Sequence, residues 1–164
     1  MTGREICDVF DRAFGEVTEK LVHIALKKTG DNGDEDTADI LLDGYRETIQ
    51  TKGYINAEIV CHFSEDLFWY IVDTMNGGST PPKEEIPLYL NEYINIICGH
   101  ALSNLNNMLN KPSRLSVPSF YKEQEPITVM CDLEQAEYLS YHSKAGVLQV
   151  YICYAFESDQ KEGK

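Results

Sequence analysis

The most regular amphipathic pattern of the chain runs from Tyr89 to about Asn110 and predicts a long helix. At about 100° per residue, one face is apolar and consists of Leu90, Ile94, Ile97, Ala101, Leu105 and Met108. The opposite face, within an arc of about 80°, consists of Glu92, Asn95, Gly99 and Ser103. Pro87 is tolerated only near the first turn, and Lys111-Pro112 prevents continuation of the helix.

Apolar periodicity also divides the first half of the chain into elements. Helical spacing extends over residues 4–28 and ends at Gly30, before a polar linker. Residues 39–49 and 54–63 have strand patterns and are joined at Lys52-Gly53. Ser64 is a suitable N-cap for a second helix, which Asn76-Gly77-Gly78 ends.

The last third of the chain is predicted to be mainly extended. Its segments cover residues 117–121, 127–132, 137–142 and 147–156, and a turn at Lys144-Ala145-Gly146 joins the last two into a hairpin. The pattern predicts an α+β fold, in which helices pack as a layer on an antiparallel sheet. We expect one domain over residues 1–156, of which 1–38 are the N-terminal helix and acidic linker, followed by a charged tail at 157–164.

The charge balance narrows the classes of partner. The chain carries 27 acidic and 14 basic residues, a net charge of −13. Such a surface is repelled by phosphate backbones and anionic lipids, so nucleic acid and membranes are not expected as partners. A positively charged target or another protein fits better, unless the charge serves solubility alone.

Cysteine usage and the N-terminus favour the cytoplasm. The N-terminal residues do not resemble a signal peptide, and no apolar run is long enough to cross a bilayer. The five cysteines are odd in number and scattered through apolar segments, as expected of reduced thiols.

Glu92 and Asn95 are the strongest candidates for chemistry. They lie three residues apart on the outer face of the long helix, where a carboxylate and a carboxamide can contact a charged site on a partner and hold a water molecule. Gly99 follows one turn later on the same face, costs the helix about 1 kcal/mol relative to Ala, and leaves room for another surface to approach. The alternative is that these polar residues only face solvent.

Other motifs are weaker. The acidic linker superficially resembles a calcium loop, but Asp36 replaces the glycine at its sixth position and Leu42 the glutamate at its twelfth, so a solvated linker is the better interpretation. The four histidines lie on different predicted elements without metal-ligand spacing. We therefore expect no metal site and no cofactor bound by this chain itself.

The spacing around Glu92 resembles a known family. Two residues separate Glu92 from Asn95, and twenty-two separate Asn95 from Pro118. This spacing, together with the Asn-Ile-Ile-Cys-Gly-His-Ala-Leu string that begins at Asn95, is similar to the motif of the CheC/CheX chemotaxis phosphatases, in the single-motif form of CheX. The predicted order of elements from about residue 45 to 156 is also similar to that family.

The resemblance implies a function and roles for individual residues. Relatives dephosphorylate CheY-like response regulators, which carry an aspartyl phosphate and a bound Mg²⁺. By this resemblance Asn95 would orient the attacking water, and Glu92 would pair with the active-site lysine of the regulator. Leu88, Gly99 and Ser103 would contact the partner on the same face.

The resemblance also implies a structural role for Pro118, which would shape the chain beside the motif helix. A homodimer formed through an exposed strand edge is expected as well, with the last hairpin as that edge.

One departure from the family pattern leaves a second hypothesis open. Four residues before Glu92 the family has an acidic residue or Ser, whereas this chain has Leu88. An apolar residue at that position favours a non-catalytic module of the same fold, which would dimerise or bind a response regulator without hydrolysing its phosphate.

Overall fold

The computed structural model describes residues 1–29, 44–123 and 135–157. Its helices are α1 (Gly3–Val22), α2 (Glu65–Met75) and α3 (Ile86–Leu109), and a short 3-10 helix (Lys83–Glu85) leads into α3. Its strands are β1 (Lys27–Lys28), β2 (Gly44–Gly53), β3 (Ile55–Phe63), β4 (Ser113–Leu115), β5 (Ser119–Glu123), β6 (Gln135–His142) and β7 (Val147–Phe156). The predicted acidic linker, the predicted strand at 127–132 and the tail from residue 158 lie outside the described residues.

The strands form one antiparallel sheet in the order β1-β6-β7-β3-β2-β4. β5 also pairs with β2, so that β4 and β5 follow one another along the same side of that strand. α1 and α2 contact α3, and all three helices contact the sheet. The α+β prediction, helices packed on an antiparallel sheet, is confirmed.

The core lies between the helices and one face of the sheet. Every second strand residue points into it, as Ile49, Ile59 and Val150 do on three neighbouring strands. The polar tip of the buried Tyr93 of α3 is satisfied by the Thr18 hydroxyl of α1 at 2.6 Å. α3 is thereby held on its inner side, while its outer side is exposed.

The first helix is shorter than predicted. A capping box of Thr2 and Glu5 starts α1, and His23 ends it in a left-handed conformation, with its N–H donating to the Glu19 carbonyl. The predicted continuation to residue 28 is wrong, because Lys27–Lys28 form β1 against β6. Ile24 is buried although it is not helical, which explains why the apolar spacing appeared to continue.

The limits of α2 and α3 agree closely with prediction. The Ser64 side chain caps α2 by accepting from Leu67 N–H at 3.4 Å, and the helix ends at Asn76. Pro87 lies in the first turn of α3, and Asn110 ends that helix in a left-handed conformation.

The buried stripe of α3 differs from prediction at its C-terminal end. Met108 was placed on the apolar face but is 55% exposed, because it lies in the last turn, beyond the final deeply buried position at Leu105. Conversely Tyr93, Cys98 and Leu102 are buried, so the helix is covered over a wider arc than predicted.

The predicted strands that fall within the described residues are reproduced, with differences in their limits. β2 continues past residue 49 to Gly53, while residues 39–43 of its predicted beginning lie outside the described part of the chain. β4 was not predicted, since three residues after a helix end leave little pattern to detect. β7 has the predicted limits and β6 begins two residues earlier than expected.

Only the outer strand of the last hairpin, β6, lies near an edge of the sheet. β7 pairs with β6 on one side and with β3 on the other. β6 in turn pairs with β1 at Tyr141 and His142. The prediction that this hairpin is the exposed edge is therefore wrong for β7, which lies in the middle of the sheet.

Cys61 and Cys98 are buried free thiols and Cys7 is a half-buried one, as apolar packing predicts. Cys153 is also buried, and Cys131 lies outside the described residues. In the part of the chain that the structure describes, no helix has the length and apolar character needed to span a membrane.

Candidate functional site

The outer side of α3 presents the predicted site residues together. Leu88, Glu92, Asn95 and Ser103 are exposed, and Gly99 is half-exposed among them. We call these five residues the motif face. Leu88 is 61% exposed, so the face combines an apolar residue with a carboxylate and a carboxamide. The buried opposite side of α3 makes this surface a rigid one.

Gly99 is not required by the packing of the described residues. A Cβ placed on it would meet the Leu115 Cδ1 atom at 3.8 Å, an ordinary contact distance. The backbone of Gly99 is helical and needs no unusual conformation. Interior packing therefore does not explain why this position has Gly, which lowers helix stability relative to Ala. A need for space on the exposed side of α3 is consistent with it.

One side of the motif face is bordered by the strands β4 and β5. The Asn106 side chain ties β4 to α3, because its amide donates to the Ser113 carbonyl at 3.1 Å and its oxygen accepts from Ser113 N–H at 3.1 Å. Just beyond β4, Ser116 exchanges hydrogen bonds with the Gln50 backbone at 2.8 and 3.0 Å. The edge strand is therefore fixed to both the helix and the sheet.

Pro118 lies in the connection between β4 and β5. Residues 116–118 join β4, whose Leu115 side chain lies near Gly99, to β5, which pairs with β2 at Glu47. They therefore run beside the part of α3 that carries Asn95. Pro118 is half-buried and its neighbour Val117 is 82% exposed. We call residues 116–118 the flank of the motif face.

Beneath the motif face lies a carboxyl group that sequence reasoning missed. Glu47 of β2 is 0% exposed, and burial raises the pKa of its carboxyl to about 8. Its partner is the side-chain amide of Asn91, which in the orientation with nitrogen toward Glu47 donates to Oε2 and, at 3.3 Å, to Oε1. A signal was present, because Glu47 occupies an inward position between Tyr45 and Ile49 in the strand alternation.

An aromatic cavity of about 430 Å³ opens at the N-terminal end of α3, also undetected in the sequence. It is lined by Tyr45, Phe68, Trp69, Thr80, Pro81, Lys83, Ile86, Pro87 and Phe120. Tyr45 and Phe68 stack with ring centroids 3.6 Å apart. This rigid cluster supports the first turn of α3, next to Leu88.

Among the described residues, His, Cys, Asp and Glu side chains form no group of three or more that could hold a metal ion. His100 lies beside the motif face and approaches Glu16 of α1 at 4.0 Å. Both side chains are exposed, so this pair contributes little to stability.

The fold and this face define a protein that exposes a carboxylate and a carboxamide side by side on one helix whose other side is buried. The family model described as chemotaxis phosphatase CheX matches residues 45–141, which include α3, the motif face and the flank. The chain therefore belongs to the CheX family. Comparison with curated proteins gave no match.

Solved structures show the same fold at low sequence identity. The chain is similar to CheX from Desulfovibrio desulfuricans, with 17% identity, a TM-score of 0.74, and coverage of 92% of this chain and 99% of that one. It is also similar to CheX from Vibrio vulnificus, with 18% identity, a TM-score of 0.75, and coverage of 94% and 100%.

A third similar structure is the CheX–CheY–BeF₃–Mg²⁺ complex from Borrelia burgdorferi. It is 14% identical, with a TM-score of 0.65 and coverage of 91% of this chain and 97% of that one.

Proposed function

We propose that this protein accelerates hydrolysis of the aspartyl phosphate of a CheY-like response regulator. The observation that carries the proposal is the motif face, where Glu92 and Asn95 are exposed side by side on a helix whose other side is fixed in the core. Membership of the chemotaxis phosphatase family supports it. So does the similar chain from Borrelia burgdorferi, which was solved together with CheY, BeF₃ and Mg²⁺.

In this proposal Asn95 orients the attacking water. A carboxamide has both an acceptor oxygen and donor N–H groups, so it can fix the orientation of a water molecule by hydrogen bonds without acting as a base. The water oxygen attacks phosphorus, the bond from phosphorus to the aspartyl oxygen breaks, and inorganic phosphate and a free Asp carboxylate result. Positioning and electrostatics dominate this type of reaction, and a hundredfold acceleration requires about 2.7 kcal/mol.

Glu92 docks the regulator. Its exposed carboxylate lies on the outer face of α3, where it can pair with the active-site lysine of the partner. Leu88, Gly99 and Ser103 complete the contact surface, and Pro118 shapes the flank beside it. The Mg²⁺ belongs to the regulator, and this chain supplies no cofactor of its own.

The non-catalytic alternative is favoured by Leu88. This exposed leucine stands where the family pattern has an acidic residue or Ser, and an apolar residue there strengthens docking without helping to orient water. On this alternative the protein binds the phosphorylated regulator but leaves its rate of hydrolysis unchanged.

Single substitutions on α3 test the roles of the two polar residues. Phosphate release from a phosphorylated CheY-like regulator is followed in Mg²⁺ with wild type, Asn95→Ala and Glu92→Ala. We expect Asn95→Ala to abolish the acceleration while regulator binding persists, and Glu92→Ala to raise KM. Asn107→Ala is the matched control, since Asn107 is exposed on the same helix about 120° away from Asn95. Equal rates for wild type and Asn95→Ala would overturn the proposal.

Homodimerisation through a sheet edge stays a separate prediction. Within the described residues the sheet ends at β1 on one side and at β4 and β5 on the other. Sedimentation over a range of protein concentrations checks it, and a monomer at every concentration would contradict it.

A further inference from the structure

Glu47 is an unusual residue for the core. Glutamate is almost never fully buried without a partner, yet this side chain is 0% exposed. Cys61 lies opposite it on β3, and Cys98 of α3 is close enough for the carboxyl to influence that thiol. Among the described residues no basic side chain pairs with Glu47, and its hydrogen-bond partner is Asn91. Such a group requires an explanation beyond packing.

Glu47 and Asn91 can hydrogen-bond whether or not the carboxyl carries a proton. With its nitrogen toward Glu47, the Asn91 amide donates to both carboxyl oxygens. Turned over, the amide presents its oxygen, which accepts from the O–H of a carboxylic acid. Because burial raises the pKa of Glu47 to about 8, the acid form predominates at pH 7, and glutamine would reproduce its neutral state.

The position of this contact relates it to the motif face. Asn91 immediately precedes Glu92 and lies one turn before Asn95. Glu47 stands on β2, directly opposite Phe120 of β5, the strand that follows the flank. The contact thus joins α3, which carries the motif face, to β2, the strand with which β4 and β5 both pair.

A second amide makes the corresponding contact at the other end of the helix. Asn106 holds β4 through two hydrogen bonds to Ser113. The two asparagines are fifteen residues apart, about 22 Å along the axis, and Asn95 lies between them. Hydrogen bonds therefore tie α3 to β2 near one end and to β4 near the other.

The angle of α3 matters because a regulator would contact both the helix and the flank. Side-chain tips lie about 6 Å from the axis, so a rotation of 10° moves Asn95 by about 1 Å relative to the flank. A displacement of that size can lower a reaction rate about a hundredfold.

We infer that Glu47, acting through Asn91, is a positioning residue that sets the angle of α3 relative to the flank, and so places Asn95 for water orientation. The inference rests on the proposed phosphatase function. Glu47 does not contact the regulator, and its effect is exerted through the helix.

Three variants test the inference. Glu47→Gln retains the hydrogen bond, Glu47→Met fills a similar volume without it, and Asn91→Leu removes it from the other side. We expect Glu47→Gln to keep kcat within about threefold of wild type, and Glu47→Met to lower it at least tenfold with less than threefold change in KM. The double variant Glu47→Met, Asn91→Leu should lose no more activity than either single variant, because both remove one contact.

Thermal unfolding separates positioning from simple structural damage. Replacing both partners of a buried polar contact by apolar side chains is often neutral or stabilising, so we expect the double variant Glu47→Met, Asn91→Leu to keep or raise Tm while kcat falls. Loss of Tm and activity together in both Glu47→Gln and Glu47→Met would overturn the inference. So would a wild-type kcat in Glu47→Met.

Asn95→Ala is assayed in the same series. If Asn95→Ala is inactive while Glu47→Met is fully active, the positioning role fails and the proposed function stands. If wild type itself gives no acceleration, the proposed function fails and the catalytic positioning falls with it.

Discussion

Glu47→Gln is expected to change the pH dependence of stability in a calculable way. In the folded protein the pKa of this carboxyl rises from its ordinary value of 4.5 to about 8, and desolvation by burial is the cause. Between these two values the unfolded chain has released its proton while the folded chain keeps it. The stability of wild type therefore falls as pH rises from about 4.5, and the decline ends above about 8.

The magnitude follows from the size of this change in pKa. Each pH unit within the window corresponds to about 1.4 kcal/mol, so the buried carboxyl lowers the stability of wild type by about 3 kcal/mol at pH 7. Glutamine has no proton to release and makes the same hydrogen bond to Asn91. The free energy of unfolding of Glu47→Gln should accordingly rise relative to that of wild type by about 2.5 kcal/mol between pH 5 and pH 7.

The titratable groups next to Glu47 in the folded protein do not change their protonation state between pH 5 and pH 7. Burial raises the pKa of the Cys98 thiol to about 12 and that of Cys61 well above its ordinary value. Both thiols stay neutral between pH 5 and pH 7, so the expected difference between the variants belongs to Glu47 alone.

Urea unfolding at pH 5 and pH 7 measures the effect. Trp69 is the single tryptophan of the chain and packs edge-on against Phe68 in the core, so its fluorescence reports unfolding. Glu84→Gln, an exposed position of the 3-10 helix, removes one negative charge without touching the core and controls for net charge. A stability gap between Glu47→Gln and wild type that is the same at both pH values would refute the reasoning.

Three further substitutions have expected outcomes. Gly99→Ala should stabilise α3 by about 1 kcal/mol in thermal unfolding yet lower kcat/KM for the phosphorylated regulator, because its methyl group projects from the motif face; unchanged activity would argue against close approach there. Asn106→Ala should cost about 1–3 kcal/mol and speed hydrogen exchange in β4, as both hydrogen bonds to Ser113 are lost. Ser64→Ala should cost about 1–2 kcal/mol, since its hydroxyl caps α2 and accepts from Val147 N–H at 3.0 Å; wild-type stability would contradict that role.

Much of the fold could be predicted because its signals are local. Pro87 and Asn110 mark the ends of α3, and Ser64 marks the start of α2, by chemistry contained in a few neighbouring residues. The exposure of Glu92 and Asn95 follows from helical periodicity alone. These features needed no knowledge of distant partners.

The features that escaped prediction depend on contacts between distant parts of the chain. His23 ends α1 through a left-handed turn that its sequence neighbours do not require. The Glu47–Asn91 contact joins residues 44 positions apart, and only the packing of α3 on β2 makes it visible. The position of β7 inside the sheet likewise depends on strand order, which hydropathy does not encode.

Turnover is the most direct test of the central claim that this protein is a phosphatase of response regulators. One molecule of wild-type protein is mixed with about a hundred molecules of a phosphorylated CheY-like regulator in Mg²⁺, and phosphate release is compared with spontaneous decay. The motif face with Asn95 predicts that nearly all of the regulator loses its phosphate faster than it does alone. Tight binding of the regulator with no release beyond spontaneous decay would contradict the claim and establish the non-catalytic module instead.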